Sequence, residues 1–142
     1  MITHVGDSRA YVLRAGKLHR LTRDHTYAQL LVDTGRLAPD EVADSRHRHV
    51  LTNALGGSCG DVMVDTDLLR LENGDRLLLC SDGLTDLVDD LTITEILRDA
   101  PAPTTRASGS CKRALDSGGR DNVTAIVAIY KVPEETPLPK PV

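Results

Sequence analysis

The chain has no Trp and no Phe, and its aromatics are limited to Tyr11, Tyr27 and Tyr130. A core made from it must be filled with Leu, Val, Ile and Ala. Base-stacking platforms of the kind that hold single-stranded nucleic acid are excluded. There is no apolar run near the about 18 residues needed to span a bilayer. The opening Met1-Ile2-Thr3-His4-Val5-Gly6-Asp7 lacks the basic segment and apolar stretch of a secretory signal. Positive charge is not in excess either, because 17 Lys and Arg face 21 Asp and Glu for a net −4. Such a balance gives no general attraction to nucleic acid or to an anionic membrane, and neither is expected as a partner. The cysteines are odd in number and widely spaced, at Cys59, Cys80 and Cys111. They predict reduced thiols in a cytoplasmic chain rather than a disulfide framework or a zinc knuckle.

What is present suits one folded domain: 142 residues, 40 % hydrophobic and 27 % charged. Residues 2–5, 10–13 and 18–22 read as strands separated by turns at 6–9 and 14–17, a meander of antiparallel strands. Thr26 is a candidate N-cap for a helix carrying Ala28, Leu30, Leu31 and Val32, with Gly35 at its left-handed end. A short helix is expected to open at Pro39. Residues 62–69 and 76–80 read as two further strands, with Asn73-Gly74 between them as a hairpin signal. Leu77-Leu78-Leu79-Cys80 is apolar on both faces, so both faces are expected to be covered. A helix is expected over 92–99, with Thr92 and Glu95 in capping-box register. A weaker one is expected over 104–117, with Ala107, Cys111, Ala114 and Leu115 as its apolar stripe. The last strand covers 123–130, and residues 132–142, with four prolines from Pro133 onward, read as a disordered tail.

Three carboxylates stand at places where chemistry could occur. Asp82 follows the apolar strand directly, where low dielectric makes an ionised group demand a cation or several donors. Asp121 precedes the last strand, behind Gly118-Gly119, whose lack of side chains allows a close approach. Two carboxylates at strand ends could share a hard cation, since Mg²⁺ and Mn²⁺ prefer oxygen ligands. Asp7 sits in the turn Gly6-Asp7-Ser8-Arg9. Asp is also the ordinary turn and cap residue, and spacing alone leaves both readings open.

Five blocks taken together resemble the metal-dependent protein phosphatases, the type 2C family of Ser/Thr phosphatases in its bacterial form. They are Val5-Gly6-Asp7-Ser8-Arg9-Ala10-Tyr11, Leu21-Thr22-Arg23-Asp24-His25-Thr26, Leu51-Thr52-Asn53-Ala54-Leu55-Gly56, the run from Gly74 through Ser81-Asp82-Gly83-Leu84, and Gly119-Arg120-Asp121-Asn122-Val123-Thr124. The resemblance implies an α+β fold, an α-β-β-α layered sandwich of antiparallel sheets with flanking helices, here incomplete. It implies that residues 1–131 are the C-terminal portion of such a domain. Asp82 and Asp121 match metal ligands, and Asp7 matches a carboxylate that shares a third, weaker ion. The implied cofactors are two Mg²⁺ or Mn²⁺ ions, with a third at Asp7. The implied reaction is hydrolysis of phosphoserine or phosphothreonine in a protein substrate by a metal-bridged water. Residues 26–50 resemble the flap beside the active site, where His47, Arg48 and His49 are candidate substrate contacts; a solvated polar loop reads the same way. Asn53 stands where bacterial relatives usually carry Arg.

The family's pattern also includes a phosphate-binding Arg, an acidic block and an Asp-Gly…Gly-His block ahead of Gly-Asp-Ser-Arg, which this sequence does not show. The expectation is therefore an incomplete metal site and an uncovered sheet through which chains self-associate. A catalytically inactive fragment, or a pseudophosphatase acting as a binding module, is the alternative. A Ser-dependent esterase is a distant third, on Gly6-Asp7-Ser8 with Asp44 and His47 at the spacing of an Asp-x-x-His pair.

Overall fold

The computed structural model describes residues 1–56, 61–99, 103–116 and 122–133. Strand β1 (Ile2–His4) leads through a turn at Gly6, φ +105°, into the hairpin of β2 (Arg9–Arg14) and β3 (Lys17–Arg20). Its two-residue loop has both Ala15 and Gly16 at positive φ, the backbone that matches strand twist in a tight hairpin. Helix α1 (Tyr27–Asp33) follows, then β4 (Asp65–Asp67), β5 (Arg76–Cys80), α2 (Asp82–Thr85), α3 (Asp90–Asp99), α4 (Pro103–Asp116) and β6 (Ala125–Ile129). Antiparallel pairing gives one sheet in the order β3-β2-β5-β6 and a separate pair, β1-β4. This mixture of helices and antiparallel sheets is the expected α+β class.

The core follows from the side-chain alternation of strands. Register places Tyr11 opposite Leu78 and Leu78 opposite Val127. On that face Tyr11, Leu13, Leu78 and Cys80 pack with Leu84, Val88, Ile93 and Leu97. Ile93 and Leu97, four residues apart, form the inward stripe of α3. Burial pushes the Cys80 thiol up to about 11, so it behaves as a small hydrophobe. Arg76 donates to the carbonyls of Leu97 and Arg98, both at 2.8 Å, and closes the end of α3 where carbonyls lack helical partners.

Several expectations need correction. β5 is covered on one face only: Leu78 is fully buried, whereas Leu79 is 46 % exposed and its neighbour Ile126 on β6 is 59 % exposed. The open face borders a cleft of about 680 Å³ that also takes in Ile2, His4 and Val64. The expected strand 62–69 shrinks to Asp65–Asp67 and pairs with β1, not with β5. Its exposed polar residues suit a short edge strand. Asn73-Gly74 does form a turn, with Gly74 at φ +92°, but that turn is bonded to the end of β6: Gly74 N–H to the Tyr130 carbonyl, and Tyr130 N–H to the Asp75 carbonyl. Helix α3 begins at Asp90, and the Asp89 carboxylate accepts from Thr92 N–H at 2.8 Å, so Asp89 fills the role expected of Thr92. The expected helix at Pro39 is a 3₁₀ turn, Pro39–Glu41. Residues 134–142, Cys59, and the side chains of Cys111, Ala114 and Leu115 lie outside the described residues.

Candidate metal centre

Asp82 sits where β5 gives way to α2, and the seam between β5 and β6 holds it there. Ser81 N–H donates to the Thr124 carbonyl, Thr124 N–H donates to Ser81 Oγ, and that hydroxyl donates to the Asn122 carbonyl. Gly83 has no room for a side chain, because a Cβ there would lie 2.7 Å from the Asn122 carbonyl oxygen. The Asp82 carboxylate accepts from Gly83 N–H at 2.9 Å, and no Lys or Arg pairs with it among the described residues.

Asp82 opens into a cavity of about 400 Å³ together with Asp7, Asp86, Arg48 and His49. Ligand atoms of His49, Asp82 and Asp86 lie within 4.8 Å of one another, and His49 Nε2 is 3.5 Å from Asp86 Oδ2. Burial and then the neighbouring Asp82 charge raise the Asp7 carboxyl above its usual range. The site thus concentrates negative charge at a cost that a cation would relieve. The opposite wall is neutralised: Asp24, almost buried, is held by Arg9 at 2.7 Å and by Arg20. The donor set fits a hard divalent cation, because clustered carboxylates are what Mg²⁺ and Mn²⁺ take.

Of the residues singled out in the sequence, Asp7, Asp82, Arg48 and His49 come together around this cavity. His47 does not line it; its ring meets the edge of Tyr27 at 5.0 Å. Asp121 lies outside the described residues. Asp86 was not expected, although its place four residues after Asp82 at a helix start would have put both on one face. Ser8 lines the apolar cleft instead, without Asp44 or His47, so no esterase triad is assembled there. The segment 26–50 holds α1, with Thr26 Oγ1 accepting from Gln29 N–H. Its end is closed by Gly35 N–H to the Val32 carbonyl and Arg36 N–H to the Leu31 carbonyl, the two bonds of a Schellman motif. Among the described residues no helix is long and apolar enough to cross a membrane.

No family model matches the chain. It is similar to the Ser/Thr protein phosphatase PstP of Mycobacterium tuberculosis, 43 % identical over 127 residues that cover 89 % of this chain and 24 % of PstP. It is 36 % identical to the Ser/Thr phosphatase Stp of Listeria monocytogenes over 127 residues, 89 % of this chain and 50 % of Stp. A crystal structure of the catalytic domain of the PstP phosphatase in complex with two manganese ions superposes with a TM-score of 0.74 at 42 % identity, covering 89 % of this chain and 51 % of that one. The chain therefore spans between about a quarter and about half of the length of these relatives. By sequence and by fold, the chain is similar to bacterial Ser/Thr protein phosphatases, one of them solved with two manganese ions, over about half of such a catalytic domain.

Proposed function

We propose that this chain forms the carboxylate wall of a metal-dependent phosphatase that hydrolyses phosphoserine and phosphothreonine in protein substrates. One observation carries the reading: Asp7, in the turn between β1 and β2, and Asp82, at the start of α2, share a cavity in which no Lys or Arg pairs with Asp82 among the described residues. Asp82 and Asp7 would hold Mg²⁺ or Mn²⁺ there, with Asp86 beside them. Asp121 joins them by resemblance alone. The ions, two with a third at Asp7, would supply the positive charge that polarises a phosphoryl group and acidifies water. The protein's own part is to place these carboxylates: the Ser81 seam fixes the backbone beside Asp82, while Arg9 and Arg20 neutralise Asp24 in the same cavity. Arg48 and His49, at the cavity mouth, are placed to meet the substrate's phosphate or an acidic neighbour of it. The manganese-bound relative and the named phosphatase relatives support this reading.

Manganese titration of the purified chain tests it. Weak Mn²⁺ binding that Asp82→Asn abolishes is expected, with little phosphopeptide turnover, since these carboxylates supply fewer than the about six oxygens each ion takes. Mn²⁺ binding indifferent to Asp82→Asn would overturn the reading. The open β5–β6 face further supports self-association of the chain, because Leu79 and Ile126 lie together on it.

A further inference from the structure

His25 is bonded through every polar group it has. Its backbone N–H donates to the Gly6 carbonyl at 2.8 Å, and its carbonyl accepts from Thr52 N–H at 2.9 Å. Its Nδ1 accepts from Gly6 N–H at 3.1 Å and from the Asn53 amide at 3.0 Å. Its Nε2 faces Asp65 Oδ2 at 3.0 Å. Because a backbone N–H can only donate, Nδ1 carries the lone pair and Nε2 carries the proton. The ring also packs on His4, with centroids 4.8 Å apart. His4 is 9 % exposed, and neither of its ring nitrogens makes a hydrogen bond. Burial, the largest cause, holds His4 below the usual imidazole range.

His4, His25 and Asp65 have ligand atoms within 4.8 Å of one another, which by itself suggests a cation. The tautomer argues otherwise: with its lone pair committed to Gly6, His25 offers Asp65 a proton, and the cluster is a strut. What the strut holds is the turn bearing Asp7. The two peptide groups flanking Gly6, one of which begins Asp7, are both clamped by His25, and Gly6 itself is at φ +105°. The same residue ties that turn to the chain returning from the 26–50 segment at Thr52-Asn53, and to β4 at Asp65.

We propose that His25 is a positioning residue for the Asp7 carboxylate, coupling cation binding in the acidic cavity to the base of the 26–50 segment. This rests on the metal-centre reading above. The test is Mn²⁺ affinity of the full chain by calorimetry, with folding checked by circular dichroism. His25→Ala should weaken Mn²⁺ about tenfold, the low end of what outer ligand partners contribute. His25→Ala combined with Asp7→Asn should be no weaker than Asp7→Asn alone, because His25 acts through Asp7. His25→Asn, whose side-chain oxygen can take the Gly6 N–H, should recover most of the affinity. Wild-type affinity in His25→Ala, or losses that multiply in the double variant, would overturn the proposal and leave the metal centre standing. Mn²⁺ affinity unchanged by both Asp7→Asn and Asp82→Asn would sink the two together. If His25→Ala does not fold, Asp65→Ala, at an exposed position, decides: a smaller loss of Mn²⁺ affinity supports the strut, and no loss refutes it.

Discussion

Asp75 and Asp82 flank the same five-residue strand and live in opposite electrostatic worlds. Asp75 is 2 % exposed, gripped by Arg14 through Nε at 3.0 Å and Nη2 at 2.6 Å, and also accepts from Glu72 N–H. Arg14 holds its carboxyl below the usual range. Among the described residues Asp82 accepts from one backbone N–H, that of Gly83, and it shares its cavity with Asp7 and Asp86. A buried carboxylate with its full set of donors belongs to the fold, whereas one left beside other carboxylates in a cavity is a candidate for function, which under the proposal above is to hold a cation.

Removing each acid should separate these roles. Asp75→Ala removes the buried acceptor of Arg14 and of the Glu72 N–H, while Arg14 keeps the Glu72 carboxylate at 2.8 Å and the Arg70 carbonyl at 2.7 Å; it should lower stability by about 1–3 kcal/mol in urea unfolding, with Mn²⁺ affinity of the folded chain unchanged. Asp82→Asn should do the reverse: Mn²⁺ binding lost in calorimetry, and stability raised by about 0.5–1 kcal/mol as repulsion with Asp7 disappears. A stability loss in Asp82→Asn comparable to that in Asp75→Ala would dissolve the distinction. The pH dependence sharpens it. Since the folded Asp75 carboxyl is lowered, its stabilisation is complete above the unfolded value of about 3.9 and is lost as pH falls through the lower folded value. Wild type and Asp75→Ala should therefore converge in stability only at strongly acidic pH; convergence already near pH 6 would mean the pair contributes nothing. The smallest effect is expected on the open face. Leu79→Glu with Ile126→Glu should leave unfolding nearly unchanged but convert a self-associating chain to monomer in light scattering. A wild-type chain that is already monomeric would remove that reading.

The two ends of β5 also differ in how readable they were. Asp82 was conspicuous because a charged residue follows four apolar ones after a single serine. Asp75 was not, because its partner Arg14 lies 61 positions away. The hairpins and caps built from neighbours were visible: the turn at 14–17, Thr26 capping α1, and Gly35 ending it. The pairing of β4 was not visible, since Asn73-Gly74 satisfies a local rule while β5 chooses its neighbours by apolar matching, Leu78 against Tyr11 on one side and Val127 on the other. The exposure of Leu79 was missed for a related reason. An apolar run tells what a strand could bury, not what the fold lays against it. His25 was seen as part of a motif, but its work depends on partners 19, 28 and 40 residues distant.

Gly83 sets a tolerance for the whole acidic end of the molecule. With the Asn122 carbonyl oxygen already occupying the space a methyl group would need, the exit of β5 and the entry to β6 lie backbone against backbone. One extra carbon at position 83 would wedge those two segments apart and displace the aspartate beside it without altering a single charge.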